Sequence, residues 1–248
     1  MYPELLHIGP ITIYTYGLMM ATGFIVAYFV LQGELKKLGD KPDFASNLVF
    51  WAAIGGIAGS KILFMLENFG DFLDDPIGMI FTGSGLVFHG GLIGGTLTVI
   101  IVLKRAGKNI GQYADIIGPL LLLGQGFGRI GCFFAGCCHG RVCDLPWAVT
   151  FPHASPPAPY PVHPTQLYEA GLNFIFFFVL FYYFRPRFRR HWQTFALYLV
   201  MAGTFRFLIE FLRVNPRVWL GLSSAQFTSI GLFCTGIVIF AFFTQPRK

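Results

Sequence analysis

The sequence predicts an all-α, polytopic membrane protein of about seven transmembrane helices. Three observations carry this. The 248 residues are 54% hydrophobic and only 12% charged, whereas soluble domains carry about 25% charged residues. Seven apolar stretches are each long enough to approach the ~20 residues that cross a hydrocarbon core. The basic residues also collect in alternate loops. The spans are expected near 11–31, 45–66, 86–103, 113–134, 168–184, 194–212 and 225–244, within one integral membrane domain covering 1–248.

The first span begins after Glu4 and His7, with no basic segment ahead of it. It is also too long for the apolar core of a cleaved signal peptide, so it reads as a permanent helix. Lys36, Lys37 and Lys41 follow it; Lys104, Arg105 and Lys108 follow the third span. Arg185, Arg187, Arg189 and Arg190 follow the fifth, and Arg247 and Lys248 close the chain. Twelve of the eighteen basic residues thus share one side. Cytoplasmic loops carry such an excess, which predicts an outside N-terminus and a cytoplasmic C-terminus. The net charge of +6 therefore reports topology, and nucleic-acid binding is excluded as its explanation. The loop after the second span is acidic, with Glu67, Asp71, Asp74 and Asp75. It has room for short interfacial helices over 67–85.

Glycines mark the second, third and fourth spans: Gly55, Gly56, Gly59, then Gly90, Gly91, Gly94, Gly95, then Gly124, Gly126, Gly128, Gly131. At Gly55 and Gly59 they predict close helix packing. In the other two groups, packing and a loosened backbone beside a polar cavity are both open readings. The longest polar interruption, 135–167, holds Pro146, Pro152, Pro156, Pro157, Pro159, Pro161 and Pro164. That proline density excludes a long helix and predicts an ordered outer-face loop.

The candidate chemistry lies in the charges within the spans. A charged side chain at the bilayer centre costs about 2.5–3.5 kcal/mol on insertion scales, so it faces a protein interior or a polar cavity. Arg206, Glu210 and Arg213 fall at i, i+4 and i+7 of the sixth span. Glu210 is placed to hold Arg206 while leaving guanidinium donors for a phosphate. The bland alternative is a purely internal ion pair. Arg213, nearer the outer interface, is explained by snorkelling. Arg129, in Gly124-Gln-Gly-Phe-Gly-Arg-Ile-Gly131, has no carboxylate within four residues and needs a partner from elsewhere or an anionic ligand. Asp115 reads as a helix-start residue. His89 is either a hydrogen-bonded packing residue or a proton acceptor. In His163-Pro-Thr-Gln-Leu-Tyr-Glu169, Thr165 is a candidate cap and Glu169 a first-turn acid.

Cys132, Cys137, Cys138 and Cys143 occupy twelve residues around His139, with Cys234 apart in the last span. A loop disulfide, with Cys143 as a candidate, is the plain reading. The spacing Cys-x4-Cys-Cys-x4-Cys is not a set of CxxC pairs, so no metal site is expected.

Taken together, these residues resemble the bacterial prolipoprotein diacylglyceryl transferase family over nearly the whole chain. The resemblance rests on Tyr14-Thr-Tyr-Gly17, Phe88-His-Gly-Gly-Leu-Ile-Gly94, Gly128-Arg-Ile-Gly131, His163-Pro-Thr-Gln-Leu-Tyr-Glu169 and Phe205-Arg-Phe-Leu-Ile-Glu210-Phe-Leu-Arg213, in that order. It implies transfer of a diacylglyceryl group from phosphatidylglycerol to the lipobox cysteine of a prolipoprotein, in the bacterial cytoplasmic (inner) membrane, with no cofactor. It also implies catalytic roles for Arg129, Arg206, Glu210 and His89. Substrate contacts fall to Arg129, Arg206, Tyr16, Gly140, His163 and Glu169. The family signature usually continues Gly-Asn-Phe-x-Asn-Gly-Glu, but here it reads Gly131-Cys-Phe-Phe-Ala-Gly-Cys137. Ala202 stands where a tyrosine is expected, and Lys61 where an arginine is. Two rival classes are a membrane thiol–disulfide oxidoreductase using the cysteine cluster and a lipid or solute transporter. The first leaves Arg129, Arg206 and Glu210 without a task. The second lacks an internal repeat between the halves.

Overall fold

The computed structural model describes residues 4–8, 11–81, 87–152, 154 and 157–246. Gly85, Pro156 and the terminal Arg247 and Lys248 lie outside them. Two short strands, β1 (Glu4–Ile8) and β2 (Ile11–Tyr14), form an antiparallel hairpin ahead of α1 (Thr15–Lys37). Then come α2 (Asp43–Glu67), the short α3 (Phe69–Asp74) and α4 (Pro76–Phe81), α5 (Phe88–Arg105) and α6 (Ile110–Ala135). Strands β3 (Val149–Phe151) and β4 (Ala158–Val162) pair antiparallel within the proline-rich segment. Helix α7 (Thr165–Phe178) runs on through a π-helical turn to Phe184. After β5 (Arg190–His191), α8 (Gln193–Ile209) tightens into a 3₁₀ turn over Glu210–Leu212. Finally α9 (Ser224–Val238) continues π-helically to Phe243, and β6 (Gln245–Pro246) pairs with β5.

Six helical stretches among the described residues are long and apolar enough to cross a membrane: 15–37, 43–67, 110–135, 165–184, 193–212 and 224–243. The expected third span forms as α5 but is not among the six; its 18 residues end in Lys104 and Arg105. The fold is thus mostly helical and polytopic, as the composition predicts. The loop expected to hold short helices does hold α3 and α4.

The chain divides into two compact units, Met1–Leu31 with Gly111–Lys248, and Gln32–Ile110. In the second unit α2 and α5 pack backbone to backbone. A Cβ added at Gly59 would meet the Gly90 carbonyl and, at 2.9 Å, the Gly94 Cα; one added at Gly94 would meet the Gly55 carbonyl. Only glycine permits that approach, which gains dispersion contacts where no hydrophobic effect operates between helices. Packing is therefore the role of Gly90 and Gly94 as well as of Gly55 and Gly59. Ser60 pins the start of α5 by donating to the Val87 carbonyl at 2.8 Å. The connecting loops are tied by an ion pair between Lys108 and Asp40.

In the first unit α6 and α8 are the inner helices, each burying 44% of its apolar window against 17% for α9. Pro119 sits inside α6, as membrane helices tolerate. Gly203 of α8 and Gly236 of α9 let those two helices close on each other's backbones. Asp115 is not a cap for its own helix. Its carboxylate accepts the backbone N–H groups of Trp192 and Phe195, both at 2.9 Å, and so caps α8 from 77 and 80 residues away. Trp192 itself is in the left-handed region, φ 73°, where the chain turns into α8.

Candidate functional site

Helix α8 carries Arg206, the 3₁₀ turn that continues it carries Glu210, and the expected i, i+4 pair forms at 2.9 Å between Arg206 Nη2 and Glu210 Oε2. The helix then stops. Arg213 lies beyond the 3₁₀ turn in extended backbone, φ −93° and ψ 163°, bridged to Gly140. Its side chain nevertheless returns to the same cluster, with Nη1 at 3.2 Å from Glu169 Oε1 and Nε at 3.8 Å from Glu210 Oε2. Only 8% of that side chain is exposed. Snorkelling therefore does not describe it; Arg213 is a buried member of the cluster.

Glu169 is the hub. Its Oε1 accepts from Arg206 Nη1 at 3.1 Å and from Arg213 Nη1, while Oε2 pairs with Arg129 Nε at 2.8 Å. The partner that Arg129 required thus comes from α7. Glu169 is more than a first-turn acid complementing a helix end. Nor does Thr165 cap α7: the cap position is Pro164 and no side chain caps it. Thr165 instead donates to the Cys138 carbonyl at 2.9 Å, and Gln166 to the Cys137 carbonyl at 2.7 Å. The start of α7 therefore holds the signature loop and the hub carboxylate together. Glu210 is fixed from its other oxygen, Oε1, which accepts from Ser223 Oγ at 2.7 Å and Asn215 Nδ2 at 2.5 Å.

Three guanidiniums against two carboxylates leave one positive charge. The exposure of the five side chains is asymmetric. Glu169 and Glu210 keep 2% and 0% of their side chains accessible, Arg129 and Arg206 keep 24% and 21%. The carboxylates are sealed beneath, and guanidinium edges face outward. Each guanidinium has more N–H donors than these pairings use, in a planar fork that matches a phosphate. Such a surface binds a singly charged anion and stabilises further negative charge developing on it, most strongly where water is sparse.

The remaining predicted residues surround or lie apart from this cluster. Tyr16 of α1 packs on Gly131 of α6, where a Cβ would come within 3.0 Å of its ring. Gly140 is a crossing point: its N–H donates to the His163 carbonyl at 2.8 Å, and a Cβ there would lie 2.7 Å from the Leu212 carbonyl oxygen. His163 stacks edge-on against Tyr168, with Nδ1 3.4 Å from the phenol oxygen. Both residues thus anchor the loop. His89, the second residue of α5, is exposed and belongs to the Gln32–Ile110 unit.

The five cysteines are free thiols, so the expected loop disulfide is absent. Cys132, Cys137 and Cys138 instead bring their sulfurs within 4.8 Å of one another, a grouping that CxxC spacing does not reveal. The missed signal is Gly136-Cys-Cys138, a turn in which Gly136 and Cys138 both have positive φ, 75° and 65°. For Cys138 that conformation costs about 1–2 kcal/mol. It lets adjacent cysteines face a third.

Comparison with known proteins shows the family. The family model described as prolipoprotein diacylglyceryl transferase matches residues 3–242. A Clostridium tetani protein named phosphatidylglycerol–prolipoprotein diacylglyceryl transferase is 37% identical over 243 residues, covering 97% of this chain and 97% of its own. Proteins of the same name from Bordetella avium and Vibrio atlanticus are each 36% identical, covering 96% of this chain and 93% and 89% of their own. The chain belongs to the prolipoprotein diacylglyceryl transferase family.

Proposed function

We propose that this chain transfers the diacylglyceryl group of phosphatidylglycerol to the lipobox cysteine thiol of prolipoproteins, releasing sn-glycerol-1-phosphate. The observation that carries the reading is the outward-facing guanidinium cluster with its single surplus positive charge. Family membership and the names of its relatives support it. The acceptor thiolate attacks the glycerol carbon, the C–O bond to phosphate breaks, and the phosphate passes from a singly charged diester to a monoester with a second negative charge. Arg129, Arg206 and Arg213 stabilise that change, and Glu169 and Glu210 hold them in place. His89 accepts the acceptor's proton, and Tyr16, Gly140 and His163 shape the substrate site. Residues 1–248 act as one multi-pass domain of the bacterial cytoplasmic membrane. It has seven spans, α5 included, an outside N-terminus and a cytoplasmic C-terminus, because the basic loops alternate with the acidic one.

The test supplies detergent-purified protein with phosphatidylglycerol and a lipobox-cysteine peptide, and reads the peptide by mass spectrometry and glycerol phosphate by a coupled reaction. A diacylglyceryl adduct is expected, absent with a Cys→Ser peptide and with Arg206→Ala enzyme. No adduct where a family member of known activity forms one would sink the proposal. Near-full turnover in His89→Ala would remove only the role given to His89.

A further inference from the structure

Nothing in the proposed transfer uses the three clustered thiols. Cys132 and Cys137 stand where the family signature usually has an asparagine and the glutamate, Cys138 follows directly, and three features of the cluster are built. Its sulfurs lie within 4.8 Å of one another, although Cys137 and Cys138 are neighbours whose side chains would ordinarily diverge. The left-handed backbone at Cys138, φ 65°, is what turns both toward Cys132. The turn is then held by fully buried donors, Thr165 and Gln166, on the carbonyls of Cys138 and Cys137. Strained backbone in a non-glycine residue that its surroundings over-determine is a mark of a functional position.

We propose that Cys132, Cys137 and Cys138 form a three-thiolate site for a thiophilic ion of the zinc class, with its fourth position open to an incoming thiol. Zinc–sulfur bonds of about 2.3 Å put ligand sulfurs roughly 4 Å apart, so small rotations of these side chains close the site. Among the described residues no fourth cysteine, histidine or carboxylate joins the group. His139 is engaged elsewhere, its Nδ1 3.0 Å from the Gly140 carbonyl oxygen and its ring stacked on Phe151. Three protein ligands with an open position is the arrangement of reactive zinc, whereas structural zinc is closed by four. All three cysteines are only partly buried, which leaves an approach for that ligand.

Binding exchanges three S–H bonds for three S–Zn bonds and releases three protons to water. The site then carries one net negative charge, opposite in sign to Arg129, which precedes Cys132 by one turn of α6. An incoming thiol would lose a fourth proton on coordination, because a metal-bound thiol is deprotonated. Resting on the transfer reading above, the incoming thiol is the acceptor's lipobox cysteine, delivered as a thiolate beside the guanidinium cluster.

The test uses the full chain in detergent, kept reduced, stripped of metal and titrated with Co²⁺ and Zn²⁺. Roughly one ion per chain is expected, with a near-ultraviolet thiolate-to-cobalt absorption that Zn²⁺ abolishes. Cys132→Ser and Cys138→Ser should each weaken binding by at least about tenfold, while Cys143→Ser and Cys234→Ser should leave it unchanged. Adding a lipobox-cysteine peptide should shift the visible cobalt bands; the Cys→Ser peptide should not. Equal binding in Cys132→Ser, or no thiolate absorption, would overturn the site. Bands indifferent to the cysteine peptide would overturn the open position. A responsive metal site with no diacylglyceryl adduct in either metal state would instead defeat the transfer reading and leave the site standing.

Discussion

The unit formed by α2 and α5 and the unit built around α6, α7 and α8 solve the same problem in opposite ways. The first brings two helices together by removing side chains: Gly55 and Gly59 meet Gly90 and Gly94, and contact is backbone on backbone. The second brings helices together around charge: Glu169 of α7 holds Arg129 of α6 and Arg206 of α8. Lipid is as apolar as leucine, so burying more hydrocarbon gains little in either unit, and only close approach or polar pairing distinguishes one partner from another. Glycine packing yields a rigid, chemically inert pair. Charge pairing yields a rigid pair with a surplus cation on its surface. The same device that holds the second unit together is therefore the one available for chemistry.

The sharpest way to break the comparison is to remove the hub. Glu169→Ala leaves three guanidiniums facing one carboxylate. Breaking a buried ion pair costs about 3–5 kcal/mol, so a large fall in detergent thermal stability and no detectable transfer are expected. A Glu169→Ala protein with wild-type melting would mean that the arginines do not depend on their carboxylates. Arg206→Ala removes one phosphate donor while Arg129 and Arg213 keep Glu169. Turnover should fall about 10²–10³-fold with a smaller loss of stability, and an unchanged rate would place the phosphate elsewhere.

The glycine pair should be broken by adding a side chain rather than by removing one. Gly59→Leu forces a side chain into the Gly90 and Gly94 backbones and should destabilise by about 1–3 kcal/mol. Gly56→Ala, whose Cβ would meet the Gly91 carbonyl at an ordinary 3.6 Å, serves as the matched control. If both variants melt alike, the close crossing is not what holds α2 to α5. The smallest effect is expected at Ser223, which caps α9 through a capping box with Gln226 and also donates to Glu210. Ser223→Ala should cost about 1 kcal/mol and slow transfer slightly by loosening Glu210. A loss as large as that of Glu169→Ala would make Glu210, rather than Glu169, the centre of the cluster.

Much of this was legible in advance. The positions of the spans followed from runs of apolar residues, and the pairing of Arg206 with Glu210 from helical periodicity alone. Gly55 and Gly59 were readable as a packing face because small residues at that spacing have few other uses in lipid. Other residues were not legible, and each for a definable reason. Asp115 looked like a helix-start residue because carboxylates collect there, yet the backbone N–H groups it accepts are 77 and 80 residues on. Arg213 looked peripheral because a continuing helix would carry it toward the interface; the helix instead ends, and extended backbone returns the side chain to Glu169. The meeting of Cys132, Cys137 and Cys138 was not legible because their spacing is not a set of CxxC pairs, and the positive φ at Cys138 that brings adjacent cysteines together has no signature in that spacing.

The sequence by itself determined that the chain lives in a membrane, where its helices run, and that arginines and glutamates within them had to face a protein interior. Those are local quantities: hydropathy summed over a window, and the cost of a charge in lipid. The tertiary structure alone decided which carboxylate serves which arginine, that Glu169 serves three, that one positive charge is left over, and that three sulfurs meet. Those outcomes depend on how loops and helix ends bring together residues far apart in the chain, and no local pattern encodes that path.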